Sequence, residues 1–214
     1  VLGHEGAGTI KALGEGVEGL AVGDKVVLGF SSCGHCPRCE EGLPSYCRTF
    51  PPLNYAGMRL EDGSKAFSRG DEAISSHFFG QSSFAALTVT RARNVVKVET
   101  DAPVELLGPL GCGFQTGAGG VMRSLSAMPG SSIAIIGGGP VGLAGVMGAV
   151  IQRCETIVLV EPIAARREIA MRLGATHVVD PAGADLAAAL REIVPEGLDY
   201  AVSYTHLTLP TSDL

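Results

Sequence analysis

Ser132–Ile136 is a short apolar run, and the residues just after it narrow the choice of fold more than any other part of the chain. Gly137-Gly-Gly139-Pro-Val141-Gly142 comes at once. A long stretch of small apolar residues then reads as a helix to about Arg153, and the strand-like Thr156–Val160 ends in Glu161. Gly-x-Gly-x-x-Gly alone says little in a chain with 30 glycines. Here it leaves a strand, opens a helix, and is followed about 20 residues later by an acid closing the next strand, the setting of a dinucleotide-binding βαβ unit. Gly137 permits the tight turn, Gly139 lets backbone approach a pyrophosphate, and Gly142 lets helix and sheet pack closely. The helix N-terminus adds amide donors and positive partial charge. Glu161 is placed to accept hydrogen bonds from ribose hydroxyls and would repel a 2′-phosphate. NAD is therefore expected over NADP, a preference that Arg166 and Arg167 weaken slightly. The plainer alternative is a βαβ unit that binds nothing.

The same alternation continues. A helix over Ala164–Leu173 is ended by Gly174, His177–Val179 reads as a strand, Asp185–Ile193 as a helix, and Leu198–Val202 as a fourth strand. Right-handed connections put all four strands in one parallel sheet. Ser124–Gln152 carries no formal charge, but Pro129, Gly130 and the glycine turn break it into strand, turn and helix, so it is not read as a membrane span. From about Ser203 the text fits neither helix nor strand and resembles the translation of a sequencing-library adaptor. Residues 203–214 are expected to be an artefactual tail, and His206 is given no role.

The first half has a different texture. Gly3–Ile10, Val26–Leu28, Leu87–Thr90 and Asn94–Val98 read as small β structure, Val104–Leu107 as a helical turn, and 49–76 as loops around Pro51-Pro52 and Asp62-Gly63-Ser64. Cys33, Cys36, Cys39 and Cys47 form a C-x2-C-x2-C-x7-C array. Four thiolates this close can surround Zn²⁺ as a closed, structural tetrahedron. Disulfides fit poorly, because neighbours this near pair awkwardly and the chain shows no secretory features. An iron–sulfur cluster shares the opening spacing but not the position of Cys47. A nucleic-acid zinc module would want a basic surface, whereas Arg38 and Arg48 face Glu40 and Glu41. Net charge is −6 with no Lys/Arg block, which argues against nucleic acid and anionic membranes as partners. With 46% hydrophobic residues the chain can bury a core. It begins without Met or a signal peptide, so an internal fragment is expected.

Between the halves lies Gly108-Pro-Leu-Gly111-Cys112-Gly-Phe-Gln-Thr116. A cysteine among small residues is more often buried filler than a ligand. His4 beside Glu5 is equally ordinary alone, and His35 and His77 are given no role.

Together these parts resemble the zinc-dependent medium-chain alcohol dehydrogenases over residues 1 to about 202. The resemblance rests on Gly3-His4-Glu5, the cysteine quartet, Gly111-Cys112-Gly113, Thr116, the three glycines and Glu161. Phe78–Ala85 and Leu107–Cys112 look most like the aryl-alcohol (benzyl-alcohol) members, and polyol dehydrogenases typically carry Glu where Cys112 stands. The resemblance implies an α/β fold: a mostly β GroES-like catalytic domain with a zinc-binding lobe, over 1–113 with the lobe at about 31–48, then a truncated doubly wound parallel Rossmann sheet over 114–202. It implies that His4 and Cys112 are metal ligands of a catalytic zinc, alcohol dehydrogenases being a general case of Cys2His ligation. Glu5 becomes a supporting carboxylate, Thr116 and Val141 lie along the nicotinamide, and Gly137, Gly139, Gly142, Glu161 and Arg166 bind the rest of NAD. Phe30, Tyr46 and Leu53 are expected in the substrate pocket.

The reaction implied is oxidation of a primary, aromatic alcohol to the aldehyde, by a cytoplasmic homo-dimer or homo-tetramer. A thiol-dependent formaldehyde dehydrogenase and a non-catalytic zinc-stabilised binding protein are the alternatives. The family's first zinc ligand and proton relay would lie upstream of Val1, so the fragment by itself is expected to be inactive.

Overall fold

Val26, Val27 and Leu28 are 5–6% exposed, so the strand that carries them is covered on both faces. In the computed structural model, which describes residues 2–182 and 185–204, this strand is the centre of the first of two units, Val1–Cys112 and Gly113–Leu214. β1 (Ala7–Thr9) and β5 (Val95–Lys97) flank β2 (Lys25–Leu28) antiparallel, with Val27 opposite both Ala7 and Val96. The cysteine segment carries one helical turn, α1 (Pro37–Glu40).

The next helix, α2 (Phe50–Tyr55), replaces what the sequence reads as loop. Pro51 and Pro52 fall in its first turn, where a missing N–H removes no helical bond. A hairpin of β3 (Phe67–Arg69) and β4 (Glu72–Ile74) turns at Gly70-Asp71. Leu87–Thr90, expected as a strand, is not one. Leu87 and Val89 are 72% and 73% exposed, and the segment pairs with no strand among the described residues.

Two fully buried amides hold this unit where its strands are short. Asn54 accepts the Ser31 N–H and donates to the carbonyls of Ser31 and Phe50. Gln81 accepts the Gly6 N–H at 3.0 Å and donates to the carbonyls of His4 and Gly29 at 3.2 and 3.1 Å.

The second unit opens with α3 (Gly113–Gly119), which runs into a π-helical turn, Gly120–Ser124. Four parallel strands come next: β6 (Ser132–Ile136), β7 (Thr156–Val160), β8 (His177–Val179) and β9 (Tyr200–Ser203), in the order β8-β7-β6-β9. Ile133, Ile135, Ile157 and Leu159 point to one face, where α4 (Pro140–Ile151) and α5 (Ala164–Arg172) pack. Ala134, Val158 and Val160 point to the other, under α6 (Leu186–Ile193). Each large side chain so buried contributes roughly 1.5–3 kcal/mol, and covering both faces explains why β6 and β7 read as continuous apolar runs. α4 is built of small residues because α3 lies against it: a Cβ on Gly148 would stand 2.9 Å from Ala118 Cα.

Asp185 caps α6 by accepting the N–H groups of Ala187 and Ala188. Ser203 completes β9 opposite Ile136, and the Tyr204 hydroxyl donates to the Gly117 carbonyl. The tail expected to be artefactual lies outside the described residues from Thr205 onward, His206 included. No helix among the described residues is long and apolar enough to cross a membrane.

The sheet is tied at its start by one carboxylate. Asp199 Oδ2 accepts both the backbone N–H and the hydroxyl of Ser132, each at 2.8 Å. Those two bonds hold its carboxyl below the ordinary range. A carboxyl depressed in the folded state adds stability that is present above its unfolded pKa and lost as pH falls through the folded one. Asp199→Asn keeps an acceptor but removes the charge. It is expected to lower the melting temperature at neutral pH and to match the unsubstituted protein only once pH has fallen below the depressed folded pKa, where both carry a neutral group. Thermal melts of the pair across that range check it.

Candidate active site

The backbone brings Cys112 to His4 by a close approach that only glycine permits. Gly108–Gly111 is a 3-10 turn, and a Cβ on Gly108 would lie 2.5 Å from the Glu5 carbonyl oxygen. One on Gly111 would overlap the Leu28 carbonyl oxygen. The turn therefore lies directly on the strands that precede it. Cys112, the residue that follows it, brings a thiol to the His-Glu pair, and donor atoms of His4, Glu5 and Cys112 all fall within 4.8 Å of one another. A nitrogen, an oxygen and a sulfur ligand converging in this way form a set that zinc accepts. His4 is steadied from behind by Gln81, whose amide holds its carbonyl and the next N–H but one. Nothing in the sequence marks Gln81 for this role, since its partners are all main-chain groups.

Aromatic rings close around His4. Its ring lies 5.8 Å from Phe78, edge-on, and 4.9 Å from Phe79. Phe79 meets Tyr55 at 5.4 Å and Phe50 at 6.4 Å, and Phe50 meets Phe30 at 5.4 Å. Such edge and tilted pairs add about 0.5–1.5 kcal/mol each beyond their burial. His77, Phe79 and Ser82 all adopt left-handed backbone, with φ of 58°, 53° and 49°. For non-glycine residues this conformation costs of order 1–3 kcal/mol each, strain that turns two successive phenylalanines toward one histidine.

Of the three expected pocket residues, Phe30 joins this box. Leu53 instead lines a neighbouring cavity with Met58 and His77. Tyr46 turns outward, 67% exposed, because the Pro44–Tyr46 turn points its ring to solvent. Sequence reading missed Phe50 and Tyr55, hidden by the prolines of α2. His77, given no role, has a buried Nε2 without a hydrogen-bond partner among the described residues, and burial, then Arg59, pushes its pKa down.

The cysteine quartet forms a second centre in the same unit. Cys33 and Cys39 sulfurs are 3.9 Å apart, and those of Cys36 and Cys39 are 3.6 Å apart. Tetrahedral Zn–S bonds of about 2.3 Å require sulfur separations of about 3.8 Å, so the cage has the size for zinc. No disulfide joins any of the six cysteines. Backbone N–H groups, that of His35 first, hold the Cys33 thiol down at about 5, while burial pushes Cys39 up to about 11. A cation at the centre would lie within reach of all four sulfurs. His35 Nδ1 lies 3.0 Å from the Cys33 carbonyl, and Arg93 also donates to that oxygen, which places both outside the ligand set.

In the second unit two of the three glycines are required by the backbone itself. Gly137 has φ of 99°, and a Cβ on Gly142 would overlap the Gly137 carbonyl oxygen. Pro140 takes the first helical position, so Val141 and Gly142 carry the first amide hydrogens of α4. Glu161, 2% exposed, directly follows β7 and lies against the turn. Its Oε2 accepts the Gly138 N–H at 2.6 Å and its Oε1 the Ile163 N–H at 2.9 Å. Burial pushes this carboxyl up, but those two bonds and then Arg166 outweigh it, so the group is held below the ordinary carboxylate range. The two main-chain bonds take one acceptor position on each oxygen. Thr116 is exposed on α3, next to the buried Gly117 that packs against α4 at Val141 and Ala144.

Comparison with known proteins bears on the family. The family model "Alcohol dehydrogenase GroES-like domain" matches residues 1–100, and "Zinc-binding dehydrogenase" matches 140–209. The chain belongs to the zinc-dependent medium-chain alcohol dehydrogenases. It is 51% identical over 211 residues to a probable alcohol dehydrogenase of a Pseudomonas species, covering 97% of this chain and 66% of that protein. It is 49% identical over 208 residues to the geraniol dehydrogenase of Castellaniella defragrans, covering 97% and 56%. The crystal structure of benzyl alcohol dehydrogenase from Acinetobacter calcoaceticus superposes with a TM-score of 0.87 at 43% identity, over 96% of this chain and 55% of that one. The chain thus spans between about half and two thirds of the relatives it matches. The two units are a GroES-like β domain with its cysteine cluster and a Rossmann-like parallel sheet with helices.

Proposed function

We propose that the whole protein oxidises a primary alcohol bearing an aromatic or similarly flat apolar group to its aldehyde, with NAD as hydride acceptor. The observation that carries this is the cluster of Phe30, Phe50, Tyr55, Phe78 and Phe79, which meets His4 through Phe78 and Phe79. Apolar walls bind apolar groups, and a box of rings offers edges and faces to a flat one. The named relatives that act on geraniol and benzyl alcohol support the same substrate class.

His4 and Cys112 would hold zinc, with Glu5 beside them. Zinc bound there supplies Lewis acidity that lowers the pKa of a coordinated alcohol. The aromatic box orients the carbinol carbon and excludes water. Gln81 fixes the backbone of His4. Gly137, Gly139, Val141 and Gly142 would hold the pyrophosphate, Glu161 and Arg166 the adenosine ribose, and Thr116 the nicotinamide. The cysteine quartet stabilises the lobe and takes no part in the reaction.

Turnover of benzyl alcohol, geraniol, ethanol and the glutathione adduct of formaldehyde by the whole protein, with NAD and then NADP, tests this. Burying a ring contributes about 1.5–3 kcal/mol, or roughly 10- to 150-fold in kcat/KM. Benzyl alcohol is expected to exceed ethanol by that margin, and Phe79→Ala to remove most of it. Preference for the glutathione adduct would establish the thiol-dependent reaction instead. Absence of turnover with every substrate would establish a binding protein.

A further inference from the structure

Arg167 lies in the first turn of α5 with its side chain only 20% exposed. Its Nη1 donates to the carbonyls of Glu161 and Pro162 at 2.7 and 2.8 Å and lies 3.0 Å from Asp180 Oδ2. Glu161 and Pro162 come directly after β7, and Asp180 directly after β8. One guanidinium nitrogen thus joins the carboxyl ends of two neighbouring parallel strands to the helix that connects them. Its neighbour Arg166 is different. It is 47% exposed and 3.7 Å from Glu161 Oε2, the geometry of a loose surface pair.

The Glu161 carboxylate depends on the segment that Arg167 grips. Oε1 takes its bond from Ile163, two residues along the same loop, and Oε2 from Gly138 in the glycine turn. If the path of 161–163 shifts, the carboxylate loses its register with that turn. We propose that Arg167 is a positioning residue for coenzyme selection: it fixes the Glu161–Ile163 loop so that the carboxylate stands at the adenosine ribose. Its Nη1, held by two carbonyls and Asp180, is also unavailable to a 2′-phosphate, which leaves Arg166 the more exposed of the two arginines that weaken the preference for NAD. The inference rests on the coenzyme reading above and deepens it.

Calorimetric titration of the whole protein and its variants with ADP-ribose and with 2′-phospho-ADP-ribose tests it, alongside kcat and KM for NAD. Arg167→Ala is expected to weaken ADP-ribose binding about tenfold and to raise KM for NAD by a similar factor, with kcat at saturating coenzyme unchanged. Arg167→Lys, which keeps a positive charge and one donor nitrogen on a shorter side chain, recovers part of that loss. Asp180→Asn, which keeps both carbonyl bonds, is expected to lose at most about threefold. If Arg167→Ala is insoluble, the last two variants carry the comparison, in that order of effect. A lower melting temperature with unchanged ADP-ribose affinity would overturn the proposal and leave Arg167 a structural staple. Selective loss of 2′-phospho-ADP-ribose affinity would overturn it by making Arg167 a phosphate ligand. If the unsubstituted protein binds neither nucleotide, the coenzyme reading itself fails, a result distinguishable from both.

Discussion

Cys112→Ser is expected to lower kcat/KM for benzyl alcohol in the whole protein by about 1,000-fold or more and to remove one of two zinc equivalents. Lewis-acid stabilisation of a developing alkoxide is worth several kcal/mol, and each 1.36 kcal/mol is a factor of ten in rate. Serine keeps the size of the side chain but is not ionised at neutral pH, so the ligand is lost and the fold is kept. The Gly108–Gly111 turn does not depend on the thiol, because its close contacts are to the main chain of Glu5 and Leu28. Far-UV circular dichroism and the zinc retained in the cysteine lobe should therefore be unchanged. Loss of activity together with loss of both metals would instead mean that Cys112 supports the fold.

Cys47→Ser is expected to do the reverse. Cys47 is buried, 4% exposed, and its sulfur also accepts the Cys33 N–H at 3.3 Å. Four coordinate bonds hold a segment whose regular structure amounts to the single turn of α1 and the Pro44–Tyr46 turn, and whose hydrophobic contribution is small. Structural zinc contributes on the order of 10 kcal/mol to the folding of small modules. Even a fraction of that, about 2–3 kcal/mol, shifts the melting temperature of a unit of roughly 100 residues by 10 °C or more. Differential scanning calorimetry, with zinc analysis on the same sample, should show that drop and the loss of one equivalent. A variant that melts normally without the metal would show that the lobe folds on its own packing.

The contrast between these two variants reflects where each feature was legible. The quartet of cysteines and the glycine turn declare themselves because spacing alone carries their physics. Thiols three residues apart can share a cation, and Gly142 is required by the Gly137 carbonyl a few residues behind it. The parallel sheet was legible for a related reason: strands buried on both faces must be apolar throughout. The aromatic box was not. Its members come from residues 30, 50–55 and 78–79, far apart in sequence, and they meet only through a proline-started helix and a run of left-handed residues that no periodicity signals. Asn54 and Gln81 stayed invisible because each serves main-chain groups, which every residue has. Leu87–Thr90 misled in the opposite direction: its alternation is that of a strand, yet a strand exists only with a partner to pair with.

Glu161 shows an intermediate case. Its position just after β7 was readable, but its two bonds to main-chain amides, and the arginine that secures the loop beside it, exist only in the folded chain. The difference matters for mechanism, because a carboxylate held in place before the ligand arrives has less to lose in being ordered.

The most direct test of the account is an anomalous difference map from crystals of the whole protein, measured at the zinc absorption edge. Two separate peaks are predicted: one inside the tetrahedron of Cys33, Cys36, Cys39 and Cys47, the other between His4 Nε2 or Nδ1 and the Cys112 sulfur, facing the rings of Phe78 and Phe79. A single peak in the cysteine cage, with nothing at His4 and Cys112 in zinc-replete crystals, would contradict it.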